Sequence, residues 1–180
     1  MPSTFTAAGQ SAILKAAANL TAQLAARYKY DNSQPLDWQS IVEFAIFGLI
    51  QAQINLLWQQ FLEDSFPTRK HSKSASRPKQ ESGINWLHVF TKLILDQTLG
   101  QFIMNTTFLV CTNIARVDKG SQIVEVVQQK IWRIIQTGWR IWPVVSLCNF
   151  LWVPVEYRVV VASCVGFGWN IFLTLITLAK

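Results

Sequence analysis

The sequence predicts an all-α integral membrane protein: a bundle of about four transmembrane helices, with an amphipathic interfacial helix and a short proline-bounded segment. Three observations carry this reading. Hydrophobic residues make up 51% of the 180 and charged residues only 14%, where a soluble domain carries about 25% charged. The charges are also partitioned. Residues 63–86 hold Arg69, Lys70, Lys73, Arg77 and Lys79, residues 115–140 hold Arg116, Lys119, Lys130, Arg133 and Arg140, and the apolar runs between them hold almost none. Finally, residues 159–179 contain no charge, and as a helix they reach about 31 Å, the thickness of a bilayer's hydrocarbon core. This composition excludes a disordered chain, a disulfide scaffold and a collagen-like fibre. The net charge of +6 is loop-and-span partitioning and not a nucleic-acid stripe, so the expected partner is a lipid bilayer and no nucleic acid is expected.

Taken in order, the first expected span is about 7–27, alanine-rich and helix-prone but carrying Lys15 and ending at Arg27, so that an interfacial helix is the alternative. The second is 38–62, apolar from Ile41 to Ile50 and again from Ile54 to Leu62, with Trp38 and Trp58 as interface markers. Residues 63–86 form a basic loop, rich in serine and proline, that has no apolar face to bury. The third span, 87–115, is interrupted by Lys92 and Asp96, four residues apart and therefore on one face, where the pair is expected to neutralise itself.

Residues 122–156 form an interfacial or re-entrant region. Ile123, Val127, Ile131, Ile134 and Ile135 share one face of its first helix. The apolar stretch 141–155, bounded by Pro143 and Pro154, is too short to cross as a straight helix. In the last span, 159–179, Ala162, Gly166 and Gly168 supply a small surface for another helix to approach.

Uncharged polar residues run along the spans at helical spacing: Gln51, Asn55 and Gln59; Gln97, Gln101 and Asn105; and Lys15, Asn19, Gln23 and Arg27. Each set lies on one helix face. An unsatisfied amide in hydrocarbon costs several kcal/mol, so these stripes face one another as interhelical bonds or face water as the lining of a hydrated path. Along such a path Lys15, Arg27 and Arg158 would favour anions.

No catalytic constellation is legible. His71 and His88 have no nucleophile or acid arranged with them, Cys111, Cys148 and Cys164 lie in apolar stretches without paired or metal-ligand spacing, and no glycine-rich phosphate loop is present. The expectation is a protein that is not an enzyme and uses no metal or cofactor.

Trp139-x-x-Trp142-Pro143, Asn149-Phe150-x-x-Val153-Pro154-x-x-x-Arg158 and Trp169-Asn170-x-Phe172-Leu173 resemble the small integral membrane family shared by peroxisomes and the mitochondrial inner membrane, that of the peroxisomal membrane protein and the "Mpv" mitochondrial protein. Lys92-x-x-x-Asp96-Gln97 supports the resemblance upstream, and Asn55-x-x-Trp58-Gln59 resembles the fungal branch; Ser146 stands where a glutamine is usual. The resemblance implies about four spans, no enzymatic activity and a weakly selective pore for small polar solutes, or alternatively a non-conducting membrane organiser that sorts peroxisomal content. A homo-oligomer or association with other membrane proteins is compatible with both. Asn149 and Arg158 are candidates to satisfy carbonyls freed beside the prolines or to line a pore, and Trp139, Trp142 and Trp152 to hold the short segment at headgroup level. No secretory signal is expected. The peroxisomal membrane is the preferred location, with the mitochondrial inner membrane as the alternative. Five basic residues in each of the two loops leave the orientation unset.

Overall fold

The computed structural model describes residues 4–30, 35–69 and 83–179, with side chains described over 6–28, 35–69 and 83–169. The basic stretch 70–82, His71 included, and the side chain of Asn170 lie outside these residues. The described chain is helical: α1 (Thr4–Tyr30), α2 (Trp38–Ser65), α3 (Trp86–Leu95), a π turn (Asp96–Gly100), α4 (Gln101–Asn113), a 3-10 turn (Ile114–Arg116), α5 (Gly120–Gly138), α6 (Trp142–Trp152) and α7 (Val155–Ala179). α3, the π turn and α4 follow one another without leaving helical backbone angles, so the third expected span is a single rod with one wide turn in its middle. Among the described residues α2 is the one helix long and apolar enough by itself to cross a membrane.

Local chemistry sets the ends of these elements. Asp37 caps α2 by accepting the Ser40 N–H at 2.9 Å, and Asn85 accepts the His88 N–H to start α3. Gln122 accepts the N–H groups of Asp118 and Lys119 at the start of α5. Pro143 occupies the first turn of α6, where its missing N–H costs nothing. The Asn85 N–H donates to Thr68 O at 2.9 Å, which joins the two ends of the basic loop.

α1 packs against α2 and α7, α2 against α4 and α7, and α6 against α3 and α7. The apolar face predicted for α5 turns to α4: Ile131 and Ile135 are buried with Leu109, flanked by Phe108, Val126, Val127 and Ile134. The tightest backbone approach is not made by the small residues of α7. It is made by Gly48 on α2, where a Cβ would sit 2.7 Å from Ala12 Cα; Gly168 has open space beside it and Gly166 faces Lys15 and Trp142 at ordinary contact distance.

Burial is inverted relative to a soluble domain. Among the described residues ten polar or charged residues are buried against twelve apolar ones, including Glu43, Lys92 and Arg158. Meanwhile Val42, Ile46, Leu57 and Phe61 of α2 and Leu87, Phe90, Ile94 and Phe102 of the α3–α4 rod are exposed. An apolar exterior of that extent is what lipid contact requires and water penalises.

Glu43 is an acid that composition alone hid inside α2. Arg116 donates to both its carboxylate oxygens at 3.0–3.2 Å and to Asp37 at 3.2 Å, fastening the end of the α4 rod to the start of α2. The Ser40 N–H and the Arg116 guanidinium hold the Asp37 carboxyl below its usual value of 3.8, and the two carboxylates raise the Arg116 pKa in return.

Two outcomes are expected. Gly48→Ala drives a methyl into the α1 backbone and should cost about 1–3 kcal/mol, read as a lowered thermal midpoint in detergent, whereas Gly168→Ala should leave the midpoint unchanged; equal midpoints would contradict the close approach. Because the folded pKa of Asp37 is depressed, its charge contributes stability above the unfolded value and loses that contribution as pH falls through the folded value. Asp37→Asn, which keeps the cap, should therefore be less stable than the wild type at neutral pH and should converge with it well below pH 3.8. A stability gap that does not change with pH would contradict the assignment.

Candidate functional site

The interior polar groups form two connected clusters and a cavity. The first cluster centres on Glu63, near the end of α2. Its Oε2 accepts from Lys92 Nζ at 2.7 Å and from Arg158 Nη2 at 2.9 Å, and its Oε1 accepts the Thr68 N–H at 2.9 Å. Lys92 Nζ also donates to Thr68 Oγ1 at 2.6 Å. Both cations lie over the Phe150 ring, at 5.0 and 5.3 Å from its centroid, an arrangement that adds cation–π attraction to the ion pairs.

The cluster repairs a backbone break. Pro154 has no N–H for the carbonyl of Phe150, and Thr68 Oγ1 comes within 3.3 Å of that oxygen. Arg158 Nε donates to the carbonyls of Asn149 and Val153 at 3.2 and 3.0 Å. Of the two residues proposed from sequence for this task, Arg158 performs it through its side chain and Asn149 presents a carbonyl.

The second cluster centres on Asp96, the first residue of the π turn, a type of irregularity that occurs frequently at functional sites. Asp96 accepts from Trp58 Nε1 at 3.1 Å, Gln59 Nε2 at 3.4 Å, Gln97 Nε2 at 3.1 Å and Ser146 Oγ at 2.6 Å. Gly100 makes room for this: a Cβ there would lie 2.8 Å from Trp58 Nε1. The expected Lys92–Asp96 pair is therefore not formed. Lys92 reaches the end of α2, Asp96 reaches the last third of α2 and the middle of α6, and each is satisfied mainly by partners that the tertiary fold brings near. Two of the expected interface tryptophans also turn inward: Trp58 donates to Asp96 and Trp142 lines the cavity, while Trp152 and Trp38 stay exposed. Trp139 donates to Gln97 O at 2.9 Å.

Between the helices lies a cavity of about 420 Å³. α2 contributes Gln51, Asn55 and Gln59, the rod contributes Asp96, Gln101 and Asn105, and α6 and α7 contribute Asn149 and Arg158. Phe44, Phe47, Phe108, Trp142 and Trp169 make its apolar walls. Gln101 and Asn105 bond to one another along their helix at 2.9 Å, whereas the side chains of Gln51 and Asn55 make no hydrogen bond to a described residue. Buried Gln59 Oε1, Asn149 Oδ1 and Arg158 Nη1 are likewise without a partner among the described residues. Such orphans in lining residues mark a polar space.

Four of the sequence candidates lie outside that lining, Arg27 among them. Asn19 donates to Ser40 Oγ at 3.0 Å, and Gln23 bonds Asn19 and both backbone groups of Asp37, so these two stitch α1 to the start of α2. Gln97 is occupied with Asp96 and Ser146. Lining or linking residues that sequence reasoning did not single out are Glu63, Thr68, Ser146 and Arg133. Glu63 lay at the edge of the expected loop, and its partners are 29 and 95 positions away. Ser146 carried a signal, as the departure from the family's usual glutamine.

Glu63→Gln leaves two buried cations without their carboxylate and should destabilise the fold by about 3–5 kcal/mol, the range for breaking one side of a buried pair. Adding Lys92→Met should recover part of the loss, as measured by thermal unfolding in detergent. A Glu63→Gln protein as stable as the wild type would contradict the cluster's role.

Residues 115–174 match the Mpv17 / PMP22 family. The chain is 27% identical over 153 residues to PXMP2/4 family protein 3 of Dictyostelium discoideum, covering 84% of this chain and 74% of the relative. It is 28% identical over 140 residues to the Mpv17-like protein of Bos taurus, covering 77% of this chain and 63% of the relative. It is 30% identical over 86 residues to the mitochondrial inner membrane protein Mpv17 of Caenorhabditis briggsae, covering 48% of each. No solved structure matches the chain. The tryptophan, proline and arginine motifs of α5 to α7 lie inside the region that is similar to the Mpv17 / PMP22 family, and relatives with names from that family align over most of the chain.

Proposed function

We propose that this chain is a multi-pass organelle membrane protein that passes small polar solutes through the space between its helices. The carrying observation is that Gln51 and Asn55, amides in the middle of the one described helix that is by itself long and apolar enough to cross a membrane, face a cavity and no partner among the described residues. Amides placed this way in lipid are tolerated when water reaches them. In this reading α1, α2, the α3–α4 rod and α7 are the four spans, each at least about 37 Å long at 1.5 Å per residue, and α5 with α6 forms the interfacial and re-entrant region. The cavity walls combine amides with aromatic rings and few fixed charges, a lining suited to modest selectivity among small solutes.

A second reading, a non-conducting organiser of membrane content, is favoured by the direct bonds of Asn19 and Gln23 and of the Gln97 Nε2, which hold elements together. As to location, the compartment named for the Caenorhabditis briggsae relative is the mitochondrial inner membrane. That supports the mitochondrial alternative over the peroxisome favoured from sequence. Microscopy of the tagged chain decides between them.

Purified protein in liposomes should conduct. Replacing both Asn55 and Gln101 by leucine should lower the single-channel conductance at least about twofold by drying the lining, while Asn19→Leu should leave conductance unchanged in the protein that folds. A well-folded preparation that never conducts would overturn the pore and leave the organiser.

A further inference from the structure

The charges around the cavity are unequal. Lys15, Arg133 and Arg158 line it, against Asp96 as the one lining acid among the described residues. Asp96 is saturated by four neutral donors and offers no cation a direct pair. Arg158 shares Glu63 with Lys92, so that cluster already has two cations for one carboxylate, and Arg158 Nη1 has no partner among the described residues although the residue is 96% buried by the 4% exposure of its side chain. Lys15 makes no ion pair or hydrogen bond with a described residue: its Nζ lies 5.3 Å from the Phe47 centroid and about 3.7 Å from where a Cβ on Gly166 would be. An ammonium so placed in an apolar surround is costly unless water or an anion meets it.

We infer that the cavity is a binding site for a small organic carboxylate, with Lys15 as the principal anchor, Arg133 and Arg158 supplying further positive potential, and the amides of Gln51 and Asn55 meeting the polar substituents of the ligand. The mixture of cations, free amides and aromatic wall is what separates an organic acid from inorganic phosphate or chloride, which have no apolar portion to use the aromatic wall. The volume of about 420 Å³ lies within the range of small-molecule sites. The inference rests on the reading of this space as open to solutes, but it concerns occupancy and not flux.

The test is isothermal titration calorimetry on the full chain in detergent, with succinate, its neutral diamide succinamide, inorganic phosphate and chloride as probes. Succinate should bind saturably and at least about tenfold more tightly than the other three, the size of one charge-assisted interaction. Lys15→Met should weaken succinate binding about tenfold or more, Lys15→Arg should restore it, and Arg133→Gln, at an exposed position, should weaken it. Lys119→Met, outside the cavity, should have no effect. Equal binding of succinate and succinamide, equal binding of phosphate, no binding, or an unchanged affinity in both Lys15→Met and Arg133→Gln would overturn the inference. Liposome conductance without carboxylate binding would sink this inference alone; binding without conductance would sink the pore reading alone.

Discussion

One carboxylate holds the interior of this bundle together. Glu63 accepts from Lys92 and Arg158 on the same oxygen and from the Thr68 backbone on the other. Ion pairs taken out of water repay their desolvation only when geometry is good and the remaining hydrogen-bonding groups are satisfied. Here Thr68 takes a second Lys92 proton, and Arg158 spends its Nε on the carbonyls of Asn149 and Val153. The consequence is structural: the α6–α7 corner, which a proline makes unable to hydrogen-bond as a helix, is built around Arg158, and Arg158 is built around Glu63.

The opposite end of α2 is fastened by the same chemistry, with Arg116 between Glu43 and Asp37. Charged clamps thus sit toward both ends of α2, and uncharged amides occupy its middle. That distribution fits a chain that must satisfy its polar groups internally where lipid surrounds it. It also explains how a cavity persists: with α2 tied at one end to α3 and α7 and at the other to the end of α4, and with Gly48 drawing α1 against it, the helices are held by their ends and their edges while the centre stays unfilled.

Much of the fold was legible because it follows from periodicity. The helices lie where apolar runs and polar stripes put them, and the amphipathic face of α5 was readable from Ile131 and Ile135. The match to the family rests on motifs that α5 to α7 carry in order. The site was legible in residue type but less so in role. Gln51, Asn55 and Gln59 share a stripe, yet only their surroundings distinguish a free amide from one bonded to Asp96. Lys92 and Asp96 have the spacing of a helix pair, but Lys92 is satisfied by Glu63 and Thr68 and Asp96 by several converging neutral donors, most of them from other helices. Glu63 and Thr68 left no local trace, because their significance depends on residues up to 95 positions away.

The proposed function requires a wet polar interior and an apolar exterior that meets lipid. Single cysteines, introduced into a chain with Cys111, Cys148 and Cys164 replaced by serine or alanine and reconstituted in liposomes, test it with a membrane-impermeant thiol reagent. Asn55→Cys and Gln101→Cys should be modified, while Leu57→Cys and Ile94→Cys on the outer faces of the same helices should be protected. Protection at the two inner positions with modification at the two outer ones would contradict it.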